Sequence, residues 1–257
     1  MKRVVIVGGA GRMGQALASG LGALDDVRVV VLVDLHEPAD LHGATFASSL
    51  DDVDASLIDA VVDFSSPESV VTSAQWCATH HKGLVIGTTG LSEDQRASVV
   101  AAATATGIVM ASNFSVGAVL SERFAALAAP YFDRVEIIEL HHDRKVDAPS
   151  GTSLSTARAI SAARKAAGLA AMVDPTSRAT VAGSRGAELD EGVKVHSVRL
   201  PGLVAHQEIL FGAAGEGLTI RHDSFDRASF VHGVAIALRA VSAQPSMTIG
   251  LDSFIVT

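Results

Sequence analysis

Fifteen residues, Glu139 to Ser153 (ELHHDRKVDAPSGTS), hold two adjacent histidines, a lysine and a Pro-Ser-Gly-Thr turn where a predicted strand gives way to a predicted helix. Neighbouring side chains on a strand point to opposite faces, so His141 and His142 are poorly placed to chelate one metal ion. No H-E-x-x-H pattern or further ligand set accompanies them, and no metal site is expected. Acid–base work suits an imidazole with Lys145 close by in the chain. Just downstream, Ser150, Gly151 and Thr152 open the helix. Its free N–H groups and hydroxyls form an anion cradle, and Pro149 fixes the approach. The same residues would equally make an ordinary helix cap, and an isolated lysine or histidine is more often solvated or packed than catalytic. Cations and cradle together suit a small dicarboxylate.

A second cluster lies near the N-terminus. In VVIVGGAGRMGQAL, Gly8, Gly11 and Gly14 are spaced G-x-x-G-x-x-G between a strand and a helix, which lets backbone approach a pyrophosphate with the helix N-terminus facing the anion. Glycine alone is a weak signal, because tight strand-to-helix turns need it sterically. Asp34 ends the second strand 20 residues after Gly14, where a carboxylate can accept hydrogen bonds from an adenosine ribose. Together the two features favour a dinucleotide site. Two later strand ends, GTTG (87–90) and SNFS (112–115), carry small polar residues on the ligand-binding side of such a sheet. Each alone reads equally as a turn; in register with the glycine loop they line the nicotinamide end.

To position these groups the chain must build a sheet. Short β-branched runs (RVVIV, VRVVVLVD, AVVDF, LVIG, IVM) alternate with helical stretches through Met110, the rhythm of a parallel sheet wound with helices. Ser66-Pro67, and Ser92 with Gln95, mark helix starts; Gly83 and Gly107 are expected to close those helices. Beyond Asn113 the pattern changes. VGAVLSERFAALAA reads as a helix, RVEIIELHH as a strand and SLSTARAISAARKAAG as a helix ending at Gly168. VKVHSVRL, HQEILFG and LTIRHD read as strands with one wetter face, forming a second, mixed sheet. The last helix, FVHGVAIALRAV, carries an apolar stripe (Phe230, Val231, Val234, Leu238, Val241) that must be buried, with the first domain as its expected partner.

The 257 residues are 48% hydrophobic and 19% charged, a composition for one large or two ordinary globular domains. A net charge of −8 without a basic run argues against nucleic acid as a partner. Cys77, the only cysteine, sits beside Trp76 in an apolar helical pattern, which excludes an internal disulfide and a zinc site built on thiolates; it reads as a buried, inert thiol. The VVIV run is too short for a signal-peptide core, and no window holds ~18 uninterrupted apolar residues, so no membrane association and a cytoplasmic location are expected.

On these residues the chain resembles a known family. GGAGRMG, IGTTG, NFSVG and above all ELHHDRKVDAPSGTS closely resemble the dihydrodipicolinate reductase (4-hydroxy-tetrahydrodipicolinate reductase) family of diaminopimelate and lysine biosynthesis. The likeness covers nearly the whole chain, and its H-H-x-x-K-x-D-A-P-S-G-T core is too long for chance. It implies an α/β fold with a Rossmann-type parallel-sheet dinucleotide domain (1–112 and 224–257). A mixed-sheet α+β domain (113–223) would serve substrate binding and assembly into a homotetramer. The implied activity is reduction of (2S,4S)-4-hydroxy-2,3,4,5-tetrahydrodipicolinate, with loss of water, to tetrahydrodipicolinate by NADH or NADPH.

Carried onto this sequence, the resemblance implies His141 as general acid/base and Lys145 as proton donor. His142, Lys145, Gly151 and Thr152 become the substrate-carboxylate contacts, with Ser150 in the same motif. The matching cofactor positions are Gly8, Gly9, Ala10, Gly11, Arg12 and Met13; Asp34; Gly87, Thr88 and Thr89; and Ala111, Ser112, Asn113 and Phe114. Some members place arginine after the ribose-binding acid, whereas this chain has Leu35, which argues against strong NADPH preference. Ser153 stands where alanine is usual.

Two rival readings have sequence tests. A semialdehyde dehydrogenase on a similar two-domain plan wants a cysteine nucleophile at a strand or loop end, whereas Cys77 lies within a helical pattern. A non-catalytic redox sensor needs an output surface such as a basic helix-turn-helix, and neither terminus offers one.

Overall fold

A computed structural model describes residues 1–255, which divide into two units: 1–116 with 227–255, and Gly117–Asp226. The first unit runs β1 (Lys2–Val7), α1 (Arg12–Gly22), β2 (Val27–Val33), β3 (Thr45–Ala47), β4 (Ala60–Asp63), α2 (Pro67–His80), β5 (Gly83–Ile86), α3 (Glu93–Ala102) and β6 (Gly107–Met110). After α4 (Val116–Ala128) the second unit contains β7 (Arg134–His141), α5 (Gly151–Ala166), β8 (Ala187–Glu188), β9 (Lys194–Arg199), β10 (Ala205–Ala213) and β11 (Glu216–Ser224). The chain then returns to the first unit with α6 (Val231–Ala240) and β12 (Ser246–Ile249).

The seven strands of the first unit are ordered β12-β6-β5-β4-β1-β2-β3, and every pair is parallel. Central strands β4 and β5 are buried along their whole length, as a parallel sheet covered by helices requires. The chain leaves β1 toward β2 on one side and later fills β4 on the other, so the connections diverge at the C-terminal ends of these strands. That is the switch point where open α/β sheets bind ligands. The sequence pattern does not reveal β3 and β12. Both are edge strands of three or four residues, too short for a periodic signal.

The expected helix starts are present. Ser66 caps α2, accepting the Ser69 N–H at 3.3 Å, and Ser92 and Gln95 form a reciprocal capping box on α3. The expected closures are not. His81, in the left-handed region at φ 50°, ends α2, and Ala103 ends α3, while Gly83 and Gly107 open the next strands. A Cβ on Gly107 would lie 2.4 Å from the Ser242 carbonyl oxygen and one on Gly83 3.0 Å from Val241, so these glycines admit the returning C-terminal segment. That segment packs as its stripe requires: Val234 and Leu238 are fully buried, and α6 lies against α1 and β5. Lys2 Nζ donates to the carbonyls of Leu238 and Val241, satisfying the C-terminal end of the helix. Cys77 is buried; burial, and secondarily nearby Asp63, pushes its thiol well above the ordinary range.

In the second unit the sheet order is β11-β10-β7-β9-β8. It is mixed: β7 runs parallel to β9 and antiparallel to β10. Val135, Ile137, Val195, Ile209 and Phe211 face a core with Ala125 of α4 and Ala157 and Ile160 of α5, while the alternate residues Glu136, Ile138 and Leu140 are half-buried. One member of the buried row breaks the rule. Glu139, two residues beyond Ile137, is fully buried and ionisable.

Candidate active site

The motif 139–153 spans the end of β7, a loop, and the first turn of α5. Ser150 is the N-cap, accepting the Ser153 N–H at 3.2 Å. Its Oγ lies 2.9 Å from Ser153 Oγ, which donates to Gln207 Oε1 at 2.7 Å; Gln207 Nε2 in turn donates to Thr156 Oγ1 at 3.0 Å. This buried polar chain ties the start of α5 to β10, and Ser153 is a full member of it. Gly151 is exposed and Thr152 half-buried, leaving the first turn of the helix accessible to an anion.

His141 Nδ1 meets Glu139 Oε2 at 2.5 Å. The register places Arg199 beside His141 and Ser197 beside Glu139 across β7 and β9. From there Arg199 donates to both Glu139 oxygens at 2.8 Å each and to the Asp147 carbonyl at 2.7 Å. The Ser150 N–H also donates to Glu139, at 3.2 Å. Burial alone would raise the Glu139 carboxyl; hydrogen bonds from His141, Arg199 and Ser197 outweigh it and hold the group at about 2. Lys145 Nζ donates to both carboxylate oxygens of Asp147, at 2.7 and 2.9 Å.

His141, Ser150 and, through Asp147 and Arg199, Lys145 thus belong to one connected arrangement. His142 stands outside it: its Nδ1 is buried without a hydrogen-bond partner among the described residues. Sequence reasoning assigned no role to Glu139, Asp147, Arg199 or Gln207. Glu139 had a local signal, an acid in the buried phase of a strand. Arg199 had none, because only the pairing of β7 with β9 brings it across 60 positions of chain.

In the first unit a cavity of about 610 Å³ opens at the C-terminal ends of β1, β2 and β4, lined by Gly8, Gly11, Asp34, Leu35, Ser65 and Ser66 among others. Gly8 is in the left-handed region at φ 85°, and a Cβ on Gly14 would lie 2.1 Å from its carbonyl oxygen, so strand and helix close only with glycine. Gly11 caps α1 without a side-chain hydrogen bond, which leaves the first-turn N–H groups for an anion. Asp34 accepts the Ala10 N–H at 2.9 Å and the Leu35 N–H at 2.8 Å, and Leu35 is 83% exposed. The cavity size, uncapped helix and carboxylate fit a dinucleotide.

The other nominated cofactor positions divide. Gly9 is buried, Met13 and Asn113 are half-buried, and Arg12, Thr89 and Ser112 are exposed. Ala111 and Phe114 are core residues, with the Phe114 ring 5.4 Å from that of Phe64. Gly87 makes room for Phe64, whose ring a Cβ would meet at 2.0 Å. Thr88 Oγ1 accepts the Ser65 N–H at 2.9 Å and donates to Asp63 at 3.1 Å. Asp63, fully buried, also accepts hydroxyl hydrogen bonds from Ser65 and Ser73 at 2.6 Å each. Burial raises its pKa despite these hydroxyls. Ser48, Ser49 and Glu68 line the cavity with no sequence signal to single them out.

Two family models together span nearly the whole chain. Residues 2–114 match the family described as dihydrodipicolinate reductase, N-terminus, and residues 117–255 match dihydrodipicolinate reductase, C-terminus. The chain is 46% identical over 256 residues to the 4-hydroxy-tetrahydrodipicolinate reductase of Nocardia farcinica, covering 98% of each chain. It is 45% identical over 259 residues to that of Cutibacterium acnes, covering 99% of each. A solved structure, dipicolinate-bound dihydrodipicolinate reductase from Paenisporosarcina sp. TG-14, shares 37% identity and a TM-score of 0.86, covering 98% of this chain and 99% of that one.

Proposed function

The chain belongs to the dihydrodipicolinate reductase family, and from that premise we propose how its own residues perform the reaction. It is an oxidoreductase of the diaminopimelate and lysine pathway, reducing 4-hydroxy-tetrahydrodipicolinate to tetrahydrodipicolinate with a reduced nicotinamide dinucleotide. The observation that carries the residue assignment is the connected arrangement of His141, Lys145 and the Ser150 cap at one end of β7. One substrate carboxylate rests on the α5 N-terminus at Ser150, Gly151 and Thr152; the other is balanced by Lys145 and His142. The bound cofactor supplies the hydride. Lys145 or His141 delivers the balancing proton.

Gly8 to Met13 hold the pyrophosphate through backbone and the α1 N-terminus, Asp34 takes the ribose, and Gly87–Thr89 with Ala111–Phe114 shape the nicotinamide end. Because Ala111 and Phe114 are buried, their contribution is through backbone. NADH serves at least as well as NADPH, since a carboxylate followed by exposed Leu35 repels a 2′-phosphate; Arg12, exposed in the loop, leaves NADPH usable. The half-buried row Ile138, Leu140 and Leu210, on the sheet face away from the α4–α5 core, supports assembly as a homotetramer. Among the described residues no helix is long and apolar enough to cross a membrane, and the reading places the enzyme in the cytoplasm.

The sensor alternative is not favoured, because the relatives are named reductases. A semialdehyde dehydrogenase is disfavoured by the buried Cys77 thiol. The deciding experiment follows NADH and NADPH oxidation while the synthase generates substrate from pyruvate and aspartate semialdehyde. Binding of NADH without turnover would return the sensor reading.

A further inference from the structure

Glu139 is the only fully buried acid of the second unit among the described residues, and both its oxygens are saturated by donors. Oε2 faces His141 Nδ1 and Arg199, and Oε1 takes Arg199 and the Ser150 N–H. An ionised carboxylate only accepts, so the hydrogen lies on His141 Nδ1, and Nε2 is the nitrogen left for proton transfer. Arg199 extends the arrangement by donating to the Asp147 carbonyl, and Asp147 grips Lys145. A buried ion pair is weak evidence for a stabilising role. Here two of the donors to the carboxylate, His141 and the Ser150 N–H, come from the substrate motif itself.

We infer that Glu139 and Arg199 are positioning residues of the reductase. Glu139 fixes the His141 imidazole with Nε2 available for proton transfer. Arg199 holds the 145–150 loop from which Lys145 and Ser150 engage the substrate carboxylates. The inference rests on the proposed reading of His141 and the α5 cradle as substrate-handling groups.

The test compares Glu139→Gln and Arg199→Lys, with His141→Gln as reference. Each is measured for kcat, KM and NADH dissociation constant, and the parent, Glu139→Gln and Arg199→Lys also for the 15N shifts of the His141 ring. Glu139→Gln is expected to lower kcat by about 10- to 100-fold with a smaller change in KM, and to lose the Nδ1–H signature. Arg199→Lys keeps a charge but not the fork. It should retain the signature while raising KM, and the inhibition constant of pyridine-2,6-dicarboxylate, by about tenfold. NADH affinity stays at the parent value in both.

A kcat within twofold of the parent in Glu139→Gln, or an unchanged His141 tautomer, overturns the role of Glu139. A KM within twofold in Arg199→Lys overturns that of Arg199. Should Glu139→Gln not fold, Arg199→Lys still decides whether the pair positions the loop. Full activity in His141→Gln would overturn the functional reading of that histidine, while its nitrogen shifts in the Glu139 variant would still decide whether the carboxylate sets the tautomer.

Discussion

Asp63 in the first unit and Glu139 in the second are both carboxylates without exposed surface near the C-terminal end of a strand, and the protein treats them in opposite ways. Asp63 sits among the hydroxyls of Ser65, Ser73 and Thr88, and burial wins: its pKa is raised. Glu139 sits against His141 and the Arg199 fork, and the donors win: it is held at about 2. Loss of exposed surface therefore does not by itself set the direction of the shift; charged donors around the carboxylate oppose it where neutral hydroxyls do not suffice. The dinucleotide cavity is lined mainly by backbone, glycine and hydroxyls, with Asp34 and Glu68 as its carboxylates, while the cluster assigned to proton transfer is held by ion pairs.

The largest expected effect separates the two carboxylates by acid titration. The folded pKa of Glu139 is depressed, so its contribution is present above the ordinary glutamate value and disappears as pH falls from about 4.5 toward 2; the loss is on the order of 3 kcal/mol. Urea unfolding of the parent and Glu139→Gln across that window should show a shallower pH slope in the variant. Equal slopes would break the contrast.

Next come the cations. His141→Gln and Lys145→Ala should each lower turnover by ~10² or more while NADH titrates with unchanged affinity, because neither residue belongs to the dinucleotide cavity. A parallel loss of NADH affinity would mean that the charged cluster also serves the cofactor.

The cradle is sharpened by Thr152→Val, which keeps shape and removes a hydroxyl. With NADH bound, it should weaken pyridine-2,6-dicarboxylate by roughly tenfold, the lower end for a hydrogen bond to a charged group. A change under twofold in the calorimetric dissociation constant would remove Thr152 from the anion site.

For the dinucleotide cavity, NADPH efficiency should not exceed that with NADH by more than about tenfold, or 1.4 kcal/mol, given Asp34 and exposed Leu35. Steady-state kinetics with both cofactors decides it.

The smallest effect has the opposite sign to the first. The folded pKa of Asp63 is raised, so its contribution is complete below the ordinary aspartate value and is lost as pH rises through the folded one. Asp63→Asn should gain stability relative to the parent as pH rises from about 4 toward neutrality. A relative loss over that range would show that Asp63 is stabilised as the anion.

Much of this was legible in one dimension because its signals are local. Alternating β-branched runs and helices announced the parallel sheet, Ser92 with Gln95 announced α3, and Gly8, Gly11 and Asp34 lie together on one cavity as their spacing implied. The Rossmann-type sheet with a separate mixed sheet, and the reductase family, were both readable from motifs. The misreadings share a cause. Gly83 and Gly107 looked like helix caps because a cap is the local use of glycine, but their neighbours are Val241 and Ser242, more than a hundred positions away.

The sequence by itself determined the period of each long element, the glycine turn after the first strand and the caps that start the helices, since all of these depend on side-chain type and near-neighbour spacing. Tertiary structure alone decided that Arg199 meets Glu139, that Phe64 covers Gly87, and that the pKa values of two buried carboxylates move in opposite directions. Strand register and chain return bring distant groups within a few ångströms, and the balance between desolvation and partner charge exists only once they are there.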